Sequence, residues 1–241
     1  MRAGGLSLTP ESEAFASGSF VHGEQRDVQR DFFSGCSGYG AILADPPWRF
    51  ETWSDAGRGR SPDGQSRAAQ RRNSPENHYP TMTLDELKAM PVGALAAKDC
   101  VLIMWFVDSH LPQALELGAA WGFTYRTMGF TWAKLRNEGS TRDLLHDEPA
   151  HKLFPIGTGY WLRANPENSL LFTRGEPKRK HADVRRLIVA PRREHSRKPD
   201  DSRKRMERLV EGPYLELFAR EAAPGWDAWG NQTERFTEVA A

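Results

Sequence analysis

Apolar residues fall in short runs along this chain, and polar stretches of uneven length separate them. Ala41-Ile42-Leu43-Ala44 reads as the end of a buried parallel strand, and Pro46 and Pro47 force the chain off the sheet at Asp45. Cys100 to Phe106 is an uninterrupted apolar run, a second buried strand. Between them Thr83 and Glu86 are spaced as a capping box, Leu84, Leu87 and Met90 line one helix face, and Pro91 stops that helix. Ser109 is placed to cap a helix that presents Leu111, Leu115 and Leu117 and ends near Gly122. Thr124 to Lys134, Ser169 to Thr173 and Leu187 to Ala190 read as strands, the last one buried. Pro199 suits the first position of a helix whose positive end takes Asp200 and Asp201 and whose apolar side is Met206, Leu209 and Val210, with Gly212 as its stop. Tyr214 to Arg220 is a further strand and its exit. Strands alternating with helical periods predict an α/β fold with a mainly parallel, doubly wound sheet.

The polar stretches set the boundaries. Residues 1–38 read as a flexible N-terminal arm, and residues 39–238 as one domain with long loops near 49–78 and 135–158. The first loop carries Arg58, Arg60, Arg67, Arg71 and Arg72, which suits a lid, an arm on nucleic acid or a solvated loop.

Composition narrows the classes. The chain has 241 residues, enough for one sizeable core, and a formal net charge of +1. No run of about 18 apolar residues predicts a membrane span, and the N-terminus has no signal pattern. Cys36 and Cys100 lack metal-ligand or redox spacing, so no metal is expected and a reducing cytoplasm is the plain location. Charge is unevenly spread. Gly175 to Arg208 holds thirteen Lys and Arg against six acidic residues, a local net of +7. That suits either a nucleic-acid surface or a solvated face.

The turn at Asp45-Pro46-Pro47-Trp48 carries the candidate chemistry. In open α/β sheets ligands sit just past such strand ends. An exocyclic amino nitrogen of a base is a poor nucleophile, because its lone pair is delocalised into the ring. Two acceptors on its N–H groups draw it toward tetrahedral geometry. Asp45 can supply one and the Pro46 carbonyl the other, while Trp48 can stack on the base. The target must leave its duplex first. The alternative is a plain X-Pro-Pro turn with a core Trp. Farther on, Lys198 just before a helix N-terminus can meet a carboxylate with its ammonium, the free N–H groups adding donors.

Asp45-Pro-Pro-Trp48, Gly157-Thr-Gly-Tyr-Trp161, Ser196-x-Lys-Pro199, Glu216-Leu-Phe-Ala-Arg220 and Gly230-Asn-Gln232 occur in an order that resembles the MT-A family of S-adenosylmethionine-dependent adenine-N6 methyltransferases. The family is typified by the methylating subunit of the messenger-RNA adenosine methyltransferase. The resemblance spans roughly Gly40 to Phe236 and implies a Rossmann-like domain with permuted motif order and no glycine-rich cofactor loop. It makes Asp45, Pro46, Pro47 and Trp48 the catalytic residues. It places Asp45, Ser196, Lys198, Arg220, Asn231 and Gln232 on S-adenosylmethionine, with Ser196, Lys198 and Pro199 at the methionyl carboxylate and Arg220 near the ribose. It sets Tyr79, Lys134, Trp161 and Glu167 beside the substrate. Ala219 stands where the family has Gly, and Ala222 where some relatives have His, which puts one cofactor contact in doubt. The acidic contact that relatives make before Gly40 does not align, and Asp27 and Asp31 are only candidates for it. The implied function is adenine-N6 methylation of nucleic acid, DNA favoured over RNA because the chain is compact. A catalytically degenerate nucleic-acid-binding subunit, or another target such as cytosine N4 or a glutamine amide, stays open, as does a homodimer or a partner subunit.

Overall fold

The computed structural model describes residues 38–49, 81–136, 153–155, 162, 164–193 and 197–230. The N-terminal arm and most of the two loops expected near 49–78 and 135–158 lie outside these residues. Seven strands form one sheet: β1 (Tyr39–Ala44), β2 (Ala96–Phe106), β3 (Thr124–Leu135), β4 (Glu167–Arg174), β5 (Leu187–Pro191), β6 (Tyr214–Leu217) and β7 (Trp226–Trp229). Their order is β5-β3-β4-β2-β1-β6-β7. All neighbours are parallel except at β4, which runs antiparallel to both β2 and β3.

This topology places the ends that matter. The C-terminal ends of β1, β2, β3, β5 and β6 and the N-terminal end of β4 lie along one edge of the sheet. From β1 the chain moves to β2 on one side, whereas from β6 it moves to β7 on the other. The order therefore reverses between β1 and β6, and such a switch point opens a crevice for ligands.

Each face of the sheet is covered by a core. Ile42, Leu102, Met104 and Phe172 pack with α1 (Leu84–Lys88), α2 (Val92–Leu95) and α3 (Leu111–Ala120). Ala41, Leu43, Ile103, Trp105, Phe130 and Ile188 pack with Met206 of α4 (Asp201–Leu209). Alternate β1 residues go to opposite cores, as the pleat requires. None of the described helices is long and apolar enough to cross a membrane.

The capping box forms as expected: Glu86 Oε2 accepts from the Thr83 N–H at 2.7 Å, and the Glu86 N–H reaches Thr83 Oγ1 at 3.2 Å. Trp121 Nε1 donates to the Leu87 carbonyl at 2.8 Å and ties α3 to α1. Gly118 is buried against Phe172, and a Cβ there would overlap that ring. Burial pushes the Cys100 thiol up to about 12, so it stays protonated and inert at neutral pH.

Four expectations need correction. Ser109 does not cap α3. Residues Asp108–His110 form a 3-10 turn, His110 is the N-cap, and Ser109 Oγ pairs with His110 Nδ1 at 3.0 Å. The buried side of α3 is Ala114, Leu117 and Gly118, and Leu111 is exposed. Helix α4 begins at Asp201, not Pro199, because the Pro199 carbonyl accepts the Ser202 hydroxyl at 2.6 Å and Asp200 turns its carboxylate to Arg193 and Arg203. Strand β5 buries Ile188 only, with Leu187 54% exposed, because it is the edge of the sheet.

Candidate active site

Strand β1 ends at Ala44, and the Asp45 N–H still reaches the Leu217 carbonyl of β6 at 3.3 Å. The two prolines then turn the chain. The Pro46 carbonyl accepts the Trp48 N–H at 2.8 Å, and the Pro47 carbonyl accepts the Met82 N–H at 2.9 Å. Pro46 thus keeps one of its two lone pairs for another donor. Trp48 is 5% exposed and belongs to the core. Its Nε1 donates to the Trp105 carbonyl at 3.4 Å, and its ring tilts against His110 at 5.8 Å. The described surroundings thus use its ring for packing.

Lys198, just before α4, spans the crevice. Its Nζ lies 2.7 Å from Asp45 Oδ2 and 3.2 Å from Glu167 Oε2. Lys134, near the end of β3, pairs with the other oxygen of Glu167. The antiparallel run of β4 is what brings Glu167, its first residue, to this edge. Two carboxylates and two ammonium groups thus alternate along the strand ends. Lys198 Nζ also sits 5.7 Å above the Trp105 ring. Burial opposes its charge, but Asp45 and Glu167 outweigh burial and hold its pKa above the usual value. Burial would raise Glu167, but Lys198 and Lys134 outweigh it and pull it down to about 2.

That depression has a pH consequence. Below its usual value near 4.5 the unfolded chain takes up the Glu167 proton before the folded one does. The stabilisation from this carboxylate is present above that value and is lost as pH falls toward about 2. Thermal unfolding followed from pH 6 to 2 should show a shallower decline of Tm in Glu167→Gln than in the wild type. Parallel curves would contradict the pairing.

A second ion network lies behind the first. Arg203 of α4 binds Glu216 of β6 at 2.7 Å, Glu221 at 2.6 Å and Asp200 at 2.7 Å. Glu221 also takes Arg197 at 2.6 Å, and Asp200 takes Arg193 at 2.8 Å. The segment that carries Lys198 is thereby fastened to the exit of β6, across the switch point. That exit is strained: Phe218 has φ 63°, in the left-handed region. Arg220 follows two residues later. A Cβ on Gly230 would overlap the Ala219 backbone, so glycine is required where the chain returns from β7.

Of the residues expected at the site, Asp45, Lys134, Glu167 and Lys198 come together in direct contact. Pro46, Pro47 and Trp48 form the adjoining turn, and Arg220 follows the neighbouring strand. Tyr79, Trp161, Ser196, Asn231 and Gln232 lie outside the described residues. Sequence reasoning did not single out Arg203, Glu221 or Trp105. Arg203 had one available signal: it lies three residues before Met206, on the buried side of its helix.

The permuted order is now explicit in space, with the Asp45 strand preceding the Glu216 strand in sequence and lying beside it in the sheet. The MT-A70 family model matches residues 39–232, which include both strands and the crevice between them. The chain belongs to the MT-A70 family. The type II methyltransferase M.MunI of Mycoplasma sp is 30% identical over 200 residues, covering 80% of this chain and 76% of that protein. The N(6)-adenosine-methyltransferase MT-A70-like of Arabidopsis thaliana is 29% identical over 198 residues, 80% of this chain and 24% of its own. The human N(6)-adenine-specific methyltransferase METTL4 is 27% identical over 217 residues, 83% of this chain and 39% of its own. This MT-A70 chain therefore spans most of one relative and a minor part of the other two.

Proposed function

We propose that this MT-A70 chain, an adenine-N6 methyltransferase, uses S-adenosylmethionine bound in the crevice between β1 and β6 and acts on DNA. The observation that carries the reading is the Asp45 carboxylate at the end of β1, held at 2.7 Å by Lys198. The residues present fit the cofactor. Lys198 has three N–H donors, and Asp45 and Glu167 use two, which leaves one for a ligand carboxylate. The Trp105 indole N–H beneath it is buried with no hydrogen-bond partner among the described residues. An unsatisfied donor there suits a ligand acceptor. When bound, S-adenosylmethionine supplies an electrophilic methyl group.

The chain's own residues prepare the nucleophile. Among the described residues Lys198 holds Asp45 through Oδ2 and none binds Oδ1, which can accept one N6–H of adenine. The Pro46 carbonyl has a lone pair for the other N–H. Together they favour the pyramidal amino group, in which the lone pair is free to attack. Asp45 and Glu167 keep Lys198 charged. DNA is preferred over RNA because the type II methyltransferase is matched over a larger share of its own length, 76%, than the relatives named for RNA. A relative named for RNA methylation, MTA1 of Cryphonectria parasitica, is matched over 59% of its length.

Calorimetric titration of S-adenosylmethionine tests the crevice. Lys198→Met should bind at least about tenfold more weakly than the wild type, the scale of one lost charge-assisted hydrogen bond. Equal affinities would remove Lys198 from the cofactor site.

A further inference from the structure

The +7 segment looked uniform in sequence, and the structure divides it by position. Seven of its thirteen cations, Lys180, Arg193, Arg197, Lys198, Arg203, Arg205 and Arg208, are in ion pairs. Several of these face the crevice or fasten α4 to β6. They are spent on the protein itself. Lys178, Arg179, Arg185, Arg186, Arg192 and Lys204 are exposed and have no acidic partner among the described residues. Four of them lie in or near one place. Arg185 and Arg186 immediately precede β5, Arg192 immediately follows it, and β5 is the outer edge of the sheet. Lys204 lies on α4, whose Arg205 reaches the Arg185 and Leu187 carbonyls at 2.7 and 2.6 Å.

We infer that this β5 edge is a track for the phosphodiester backbone of the nucleic-acid substrate, leading it toward the crevice. The inference rests on the nucleic-acid reading above and adds the surface that reading lacked. Three observations favour it. The first is direction: β5 is parallel to β3, so Arg192 emerges on the same edge as Lys134 and Glu167, and its N–H bonds the Leu135 carbonyl at 3.0 Å. The second is length. Arg186 to Arg192 spans about 20 Å at the rise of an extended strand. A duplex of that length carries roughly a dozen phosphate charges. The third concerns the kind of partner. Arg205 occupies two outward carbonyls of this edge, which hinders a further strand from pairing there. The exposed guanidinium groups remain for a polyanion.

The test is fluorescence anisotropy of the full chain with a fluorescein-labelled 24-base-pair duplex and the matching single strand, over a series of NaCl concentrations. It compares the wild type with the triple variant Arg185→Gln, Arg186→Gln, Arg192→Gln. Calorimetric titration of S-adenosylmethionine into both proteins reports on the crevice. The triple variant should bind duplex at least about tenfold more weakly at 50 mM NaCl, with a log–log salt slope shallower by up to about 2.7. Its cofactor affinity should match the wild type, which also shows that it is folded. Wild-type binding with the same affinity and slope in the triple variant would overturn the track and leave the nucleic-acid reading standing. A wild type that binds cofactor but neither oligonucleotide would overturn both.

Discussion

Asp45→Ala should lower kcat about 10³-fold, the scale of removing one group that acts on charge developing in a transition state. In the proposed mechanism the N–H acceptor at Oδ1 matters most as the amino nitrogen becomes tetrahedral and its lone pair leaves the ring. KM for the polymer should therefore change little, and kcat/KM should fall with kcat. The substitution also strips Lys198 of its 2.7 Å partner, but Glu167 still holds that ammonium at 3.2 Å. The segment before α4 should stay in place. Asp45→Asn keeps an acceptor oxygen but replaces the carboxylate beside Lys198 with a neutral amide, so its activity should lie between the two. Steady-state kinetics on an adenine-containing oligonucleotide, with Tm recorded for each protein, checks the order. Near-normal turnover by folded Asp45→Ala would remove Asp45 from the chemistry.

Arg203→Met should be the most damaging change outside the reacting groups. The arginine is 12% exposed and faces Glu216, at 15%, and Glu221, at 11%. Methionine fills part of the volume but leaves the carboxylates without their main counter-charge, and breaking a buried pair from one side costs about 3–5 kcal/mol. In a chain of this size that corresponds to a Tm lower by roughly 6–20 °C. The pH dependence separates charge from packing. Burial raises Glu216, and Arg203 opposes that rise. Without Arg203 the folded protein should take up a proton at Glu216 more readily than the unfolded chain. A folded carboxylate with a raised pKa destabilises the protein at high pH and less so as pH falls. The loss in Arg203→Met should thus be larger at pH 8 than at pH 5. A loss independent of pH would assign Arg203 to packing alone. Because Glu221 also binds Arg197, next to Lys198, cofactor affinity should fall in the same variant.

The parts of this site legible in the sequence were those whose residue types restrict the backbone. Two prolines after an apolar run can only end a strand, so Asp45 was placed at a sheet edge from its neighbours alone. Thr83 and Glu86 announced their helix because a capping box needs both side chains at one spacing. Lys198 stood out through Pro199, although the helix begins two residues after that proline, at Asp201. Other features left no such mark. An apolar strand carries no sign of its direction, so nothing in Ser169 to Thr173 showed that β4 runs antiparallel, and that direction delivers Glu167. Trp226-Asp227-Ala228-Trp229 is too short and too mixed to announce a strand, yet it pairs with β6. In β5 the alternation of Leu187, Ile188 and Val189 became visible only once the strand was known to be an edge. Charged residues were the least legible. Arg203 and Arg186 look alike in a basic run, but one is enclosed by three carboxylates and the other is exposed. That difference is set by contacts between distant segments, which local pattern does not encode.

The decisive measurement is transfer of labelled methyl from S-adenosylmethionine to matched single- and double-stranded DNA and RNA, with nucleoside analysis of the products. Label in N6-methyladenine, with more in DNA than in RNA and little from Asp45→Ala, is the outcome expected of this site. Label in N4-methylcytosine, or no label from a wild-type protein that binds the cofactor, would contradict it.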